Sequence, residues 1–408
     1  MTASTPAGTD NATMRDIGTS EILDLRDDLP AFREAVRAWT RKTAPPEKSH
    51  LWLDAKGKDQ VEIQKWWMLE RNKVGLAIPH WPAAYGGAGL GLAHEIILAD
   101  EFAKANAPSS GAFVISMNHV PGTLIPYGSE AQKKKYMPTV AQGTIWCQGF
   151  SEPGAGSDLA SLQTRAVLDG DHYVINGQKI WSSWSMYARY AILLARTDPD
   201  AKKQRGITYF IMDMEAPGVE VRPIRKSTGS SNFAEVFLND VRIPVEDRVG
   251  EENQGWTVAQ ATLAAERGVL MFERVEREHS AMHRFWRQAL ESGAAWLNEP
   301  ELMREFMKIF ADYQALRRLI RALFKEPREP GRWSMTPSLV KWLGTETPHR
   351  LGTFKVRVEA LGAQFVASGD VEGSAMYEFL DAFGGRIAGG SNEIMRNLIA
   401  ERGLGMPR

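Results

Sequence analysis

Between Thr144 and Gly250 the chain reads as short strands and turns, and on both sides of that block it reads as helix. Segregated runs of this kind predict an α+β fold with layers stacked in blocks, and argue against a doubly wound α/β sheet, in which strands and helices alternate. In the first block Leu23, Leu25, Leu29, Phe32, Val36 and Trp39 recur at helical spacing and predict a helix over 19–42, ended by Ala44-Pro45-Pro46. Further helices are expected over Val61–Glu70 and Leu92–Asn106, with an extended segment over Gly75–Pro82 and a turn at Tyr85–Gly89. In the middle block Tyr173-Val174-Ile175, then Asn176-Gly177, then Gln178–Trp181 predict a hairpin. Ala191–Ala195, Ile207–Met212 and Val236–Leu238 read as further strands, separated by turns at Asp198-Pro199 and Ala216-Pro217-Gly218. From Trp256 onward helix returns, with long periodic runs over Glu301–Leu323 and Ser338–Phe379 and a break at Glu326–Gly331. The expected boundaries are a flexible tail over 1–18, an N-terminal helical domain over 19–143, a β domain over 144–250 and a C-terminal helical domain over 251–408.

Composition narrows the function classes. A chain of 408 residues with 43% apolar and 24% charged residues is expected to form two to three packed subdomains of a soluble protein. A formal net charge of −1 gives no global basic footprint for nucleic acid. The single cysteine, Cys147, excludes an intrachain disulfide and a cysteine-rich metal site, and fits a reducing, cytoplasmic compartment; no metal is expected. The first 18 residues lack the apolar core of a signal peptide, and no window approaches 18 uninterrupted apolar residues, so no membrane span is expected. No internal repeat of 20–50 residues is present.

The segment Cys147-Gln148-Gly149-Phe150-Ser151-Glu152-Pro153-Gly154-Ala155-Gly156-Ser157-Asp158 carries the most chemical information. Glycines at 149, 154 and 156 let backbone approach a ligand, and Ser151 and Ser157 add hydroxyls beside exposed amides. Such a loop can hydrogen-bond the edge of a flat heteroaromatic ring; turn chemistry alone equally describes a plain surface turn. Glycines at the G-x-G-x-x-G spacing of a dinucleotide fold are absent at 86–91 and 154–159.

Four ordered motifs together resemble the acyl-CoA dehydrogenase family. They are Ser151–Asp158, Ile175–Ser183, Gly250–Trp256 and Ala388–Asn397, and Pro79–Gly87 also fits the family's N-terminal domain. The resemblance implies a helical N-terminal domain, a central β-barrel-like domain and a C-terminal four-helix bundle. It implies FAD held between subdomains and subunits, an acyl-CoA substrate, an electron-transfer flavoprotein or similar acceptor, and a homo- or hetero-oligomer. By position, Gln148, Phe150 and Ser151 are expected against the isoalloxazine, with Trp181 covering one face and Ser183 near N5. Ser391 and Glu393 are expected near the cofactor, and Ser157, Arg267 and Gly389 toward the acyl-CoA.

The family's chemistry needs a carboxylate that takes the α-proton while the β-hydrogen leaves as hydride to the flavin. Many members carry that glutamate where this chain has Gly389. A smaller branch, typified by isovaleryl- and long-chain acyl-CoA dehydrogenases, places it on the helix after the β domain, before an arginine. Ala265-Glu266-Arg267-Gly268 stands there, so the resemblance gives Glu266 the role of catalytic base and leaves the Gly389 amide to polarise the thioester carbonyl. The family's Arg-x-x-Phe-Gly stretch, which reaches a neighbouring subunit's pyrophosphate, is not matched by Arg284–Gly293. That departure resembles subfamilies acting on dicarboxyl, branched-chain and steroid side-chain substrates, some of which pair unlike subunits. Two other readings share the scaffold: a flavin oxidase or monooxygenase such as nitroalkane oxidase, and a non-catalytic subunit of a hetero-oligomer.

Overall fold

The computed structural model describes residues 21–266, 270–323, 336–359 and 374–407. The chain begins as helix, but not as the single helix over 19–42 that periodicity suggests. A short turn of helix over Glu21–Asp24 is followed by a fresh start at α1 (Leu29–Thr43). Asp28 makes the break: its side chain accepts the Ala31 amide at 3.1 Å and caps the new helix, with Pro30 in the first turn. α1 buries Phe32 and Val36 and stacks Trp39 on Trp67 of α2 (Gly57–Lys73) at 5.2 Å. The Gly75–Pro82 segment is a series of turns rather than a strand, because Leu76 returns its amide to the carbonyl of Arg71 and Trp81 to that of Ile78. α3 (Leu92–Lys104) follows, then a π-helical turn over Ile115–His119 that runs into α4 (Val120–Tyr127), and α5 (Glu130–Ala141) with a Ser129–Gln132 capping box.

The middle block forms one sheet. Its strands are β1 (Trp146–Gly149), β2 (Arg165–Asp169), β3 (His172–Ser183), β4 (Tyr190–Arg196), β5 (Ile207–Asp213), β6 (Val219–Ile224), β7 (Phe233–Pro244) and β8 (Arg248–Val249). They lie in the order β6-β7-β3-β2-β4-β5-β8, with β1 pairing β4 in parallel. The sheet stays open, which corrects the barrel-like expectation. β6 and β8 end the order without meeting, and the halves are joined only where Arg165 of β2 meets Arg196 of β4. Closure needs a continuous staggered ladder, and this junction is a single pair. The halves enclose Tyr173, Ile175, Leu193, Phe210, Val236 and Val241.

Asn176-Gly177 is not a hairpin turn. The turn lies at Gly170, between β2 and β3, and Asn176-Gly177 sits inside β3 at a register shift against β7. Long-range pairing outweighs local turn chemistry. Asn176 donates to Asp240 at 2.9 Å and accepts its amide at 3.0 Å, and a Cβ on Gly177 would lie 2.8 Å from Thr164 Cα.

The second helical layer comprises α6 (Gly255–Glu266), α7 (Leu270–Ser292), α8 (Pro300–Leu323), α9 (Thr336–Glu359), α10 (Ala375–Ile387) and α11 (Asn392–Leu398). α7, α8 and α9 bury Met282, Phe306, Ile309, Tyr313, Leu351 and Phe354, and Trp286 stacks on Phe306 at 4.9 Å. Each such side chain contributes about 1.5–3 kcal/mol of burial. The expected break at Glu326–Gly331 lies outside the described residues, as do 360–373 within the predicted Ser338–Phe379 run. The two helical layers meet through charge as well as apolar contact. Arg317 of α8 reaches across to Asp100 of α3 at 3.9 Å; within the layers, Arg317 and Arg321 hold Glu276 at 2.7 and 2.9 Å, and Arg33 bridges Asp100 and Glu101 at 2.6 Å each.

Candidate active site

One irregularity of β3 organises the site. Lys179 pairs with Val236 of β7, but the next paired residue, Ser182, sits opposite Ala234, so β3 carries one residue more than its partner. This bulge centres on Trp181, whose φ is +61°, a region an aromatic residue rarely occupies. Its effect is visible on both sides. Lys179 and Ser182 both point inward, and Trp181 is turned out, 55% exposed, in a T-shaped contact with Phe233 at 6.3 Å. A large aromatic residue left in solvent by a strained backbone is a costly arrangement unless something flat covers it.

β1 and the loop after it lie alongside. The Ser182 hydroxyl donates to the Gln148 carbonyl at 3.0 Å, and the Ile180 amide donates to the Ser151 carbonyl at 3.0 Å. Gln148, Ser151 and Ser183 are half-buried, and Phe150 is buried edge-on to Tyr209 at 5.8 Å. Gln148, Phe150, Ser151, Trp181 and Ser183, all expected at one site, therefore stand on two adjacent stretches of backbone. Gln148, Ser151 and Ser183 bring partly exposed polar groups to these stretches, and Trp181 an exposed ring. This arrangement fits a planar heteroaromatic group such as a flavin, with Trp181 against its face and the β1 edge supplying hydrogen bonds.

Beneath this surface lies a pair that sequence reasoning passed over. Lys179 Nζ donates to Glu152 Oε1 at 2.8 Å and to the Phe150 carbonyl at 3.2 Å, and Glu152 accepts the amides of Gln163 and Thr164 at 2.6 and 2.8 Å. Burial pulls Lys179 down to about 8, with the Glu152 carboxylate opposing the shift. Burial on its own would raise Glu152, but Lys179, Thr164 and the Gln163 amide hold it below the usual carboxylate range. The pair ties the ends of the 150–164 loop together. Its one signal in the sequence is a lysine in the same alternating phase as Tyr173 and Ile175 of β3.

The other expected residues belong to the following loop, to the end of α6 and to the C-terminal motif. Ser157 is exposed on the loop, beside an Asp158 held by Lys203 at 2.7 Å and Ser161 at 2.5 Å. Glu266 is the last residue of α6, and Arg267 lies outside the described residues. In the C-terminal motif Gly389 and Gly390 have φ of +66° and +87° and form the turn between α10 and α11. Ser391 caps α11 by accepting the Ile394 amide at 3.4 Å. Glu393 is exposed in the first turn, and the local backbone amide and Ser391 hold its carboxyl below the ordinary value. No hydrogen bond, ion pair or ring contact among the described residues joins Ser391 or Glu393 to the β1–β3 cluster. The turn is instead anchored by Asn392, fully buried. Its side-chain oxygen accepts Lys341 at 2.8 Å and Thr345 at 2.9 Å, and its amide donates to Glu346 at 2.8 Å.

Comparison with known proteins bears on this geometry. Family models described as the acyl-CoA dehydrogenase N-terminal, middle and C-terminal domains match residues 26–144, 147–241 and 253–404. The chain belongs to the acyl-CoA dehydrogenase family. It is accordingly an oxidoreductase enzyme, and its helix–sheet–helix order is that of the family's solved structures. The acyl-CoA dehydrogenase IpdE1 of Mycolicibacterium smegmatis is 35% identical, the match covering 93% of this chain and 98% of IpdE1. The acyl-CoA dehydrogenase FadE34 of Mycobacterium tuberculosis is 38% identical over 82% of this chain, which spans 45% of that longer protein. Among solved structures, the Tcur3481-Tcur3483 steroid ACAD superposes with a TM-score of 0.79 at 30% identity, covering 94% of this chain and 98% of that one. The ChsE4-ChsE5 complex of M. tuberculosis gives 0.77 at 28% identity, with 94% and 98% coverage. In this acyl-CoA dehydrogenase no helix among the described residues is long and apolar enough to cross a membrane, and no cluster of three or more potential metal ligands occurs among them.

Proposed function

We propose that the protein desaturates an acyl-CoA thioester between Cα and Cβ, giving the trans-2-enoyl-CoA, with Glu266 as base. The exposed, backbone-strained Trp181 beside Gln148, Phe150, Ser151 and Ser183 carries the reading, since that surface suits an isoalloxazine. FAD, when bound there, supplies the acceptor for the β-hydride. The protein's own residues do the rest. The Gly389 amide donates to the thioester oxygen as enolate charge builds, lowering the cost of losing the α-proton. Glu266 receives that proton. Ser157 and Arg267 hold the CoA side of the substrate, Arg267 through charge-assisted hydrogen bonds. Ser391 and Glu393 border the cofactor from the α10–α11 turn, and electrons pass on to an electron-transfer flavoprotein or a similar acceptor.

The similarity to a steroid ACAD with a two-component name supports a steroid acyl-CoA substrate and an unlike partner subunit for this chain as well. The decisive experiment is anaerobic titration of the purified, yellow protein with butyryl-, isovaleryl-, glutaryl- and steroid side-chain acyl-CoAs, watching flavin absorbance. Bleaching by the steroid thioester is expected. A colourless protein that cannot be reconstituted with FAD overturns the reading. A flavin bleached only by nitroalkanes, or reoxidised productively only by oxygen, points to the oxidase or monooxygenase alternative.

A further inference from the structure

Three buried hydroxyls from distant parts of the chain meet one turn before Glu266. Thr123 of α4 lies 2.6 Å from Thr262 of α6, oxygen to oxygen. The Tyr209 hydroxyl of β5 lies 3.2 Å from Thr123 and 3.1 Å from Thr262. All three residues are fully buried. Each hydroxyl offers one proton and accepts others, so the triangle can satisfy itself without water. Burial pushes the Tyr209 phenol well above its ordinary value, so it stays protonated and able to donate.

The placement is what matters. Thr262 is four residues before Glu266 in α6, about 6 Å along the axis. The Tyr209 ring stands edge-on to Phe150 at 5.8 Å. Beside Thr123, a Cβ on Gly122 would fall 2.3 Å from the Ala265 Cβ, so α4 and α6 are closely packed at the residue preceding Glu266. Apolar contact alone lets a helix slide or roll at small cost. Directional hydrogen bonds between short side chains do not.

We infer that the Thr123–Tyr209–Thr262 triangle is a positioning device for the reaction: it fixes the roll and axial position of α6, and so of Glu266, relative to Phe150 and the surface it borders. These are positioning residues, acting through Glu266 and Phe150. The inference rests on the proposed function, and the wild-type titration tests that separately.

The test replaces Thr262 by its isostere valine and, as a rescue, by serine. Reduction rate per bound flavin, KM, and hydrogen exchange of amides 259–266 are read with the acyl-CoA that bleaches wild type fastest. Thr262→Val is expected to keep FAD and KM, to reduce its flavin about tenfold more slowly and to exchange faster over 259–266. Thr262→Ser is expected within about twofold of wild type on every readout. Equal rates in Thr262→Val and wild type, or a serine variant as slow as the valine one, overturn the inference. If Thr262→Val loses FAD, Tyr209→Phe decides, because Thr123 and Thr262 still pair. The same fall in rate is expected there, and a wild-type rate overturns it. Wild-type holoenzyme bleached by no acyl-CoA overturns the proposed function, and this inference falls with it.

Discussion

Lys179 and Glu152 form an ion pair of 2.8 Å directly beneath the bulge that turns Trp181 outward. Both are buried, and the same lysine holds the Phe150 carbonyl. The pair therefore couples the β3 bulge to the β1 loop, the two pieces of backbone that border the proposed flavin surface. Breaking a buried pair from one side leaves an unpaired charge, a loss on the order of 3–5 kcal/mol. Glu152→Gln and Lys179→Met are each expected to lower the melting temperature and the FAD content together. Thermal melts beside flavin absorbance check this, and either variant melting like wild type with full flavin would refute it.

The pH dependence follows from the same pair. Lys179 is pulled from 10.5 to about 8 in the folded chain, so between those values the unfolded chain binds the additional proton. Its contribution to stability therefore rises with pH across that window, by at most about 3 kcal/mol. Glu152, held low in the folded state, contributes stability above its unfolded value of 4.5 that is lost as pH falls through its folded value. Denaturant unfolding at pH 8 and pH 10 should show a rise in wild type, relative to Lys179→Met, that the variant lacks. Parallel pH profiles would count against it.

Trp181 offers a test that separates stability from binding. Trp181→Gly removes an aromatic residue from φ +61°, where glycine is unstrained. The apoprotein is expected to be as stable as wild type or more so, by about 1 kcal/mol, while FAD affinity drops. Fluorescence titration of FAD into both apoproteins reads it, and unchanged affinity would remove Trp181 from the site.

For the base, Glu266→Gln is expected to retain FAD and acyl-CoA binding and to lose about 10²–10⁴-fold in flavin reduction. Stopped-flow reduction under anaerobic conditions measures this. A near wild-type rate would move the role to another carboxylate, with Glu393 the next to test.

The C-terminal layer leaves Phe383 and Ile387 exposed one turn apart on α10, and Leu404 and Met406 exposed beyond α11. We expect this face, with the run Ile394–Arg408, to be buried against a second subunit, like or unlike. Sedimentation of the flavin-loaded protein should give a dimer or larger, and Ile387→Asp should dissociate it. An active, flavin-loaded monomer would refute the assignment.

Block order and family were legible in the chain alone, because both depend on local signals: helical periodicity around Phe32 and Val36, turn residues, and contiguous motifs such as Ser151–Asp158. The same local reasoning failed at Asn176-Gly177. There the dipeptide's turn preference lost to pairing with β7 and to the close approach of Thr164, contacts made by residues far along the chain. The barrel-like middle domain that the family resemblance implied is an open sheet, joined between β2 and β4 by a single pair. A tryptophan at 181 could be matched to a motif, but its exposure could not be read. One extra residue in β3 reverses which side chains face inward, and only the register against Val236 and Ala234 reveals it. Thr123, Tyr209 and Thr262 carry no signal at all, being separated by 86 and 53 positions and unremarkable one by one. Hydrogen bonds among buried hydroxyls act over about 3 Å in space, whatever the distance along the chain, so only tertiary packing could bring those three together beside Glu266.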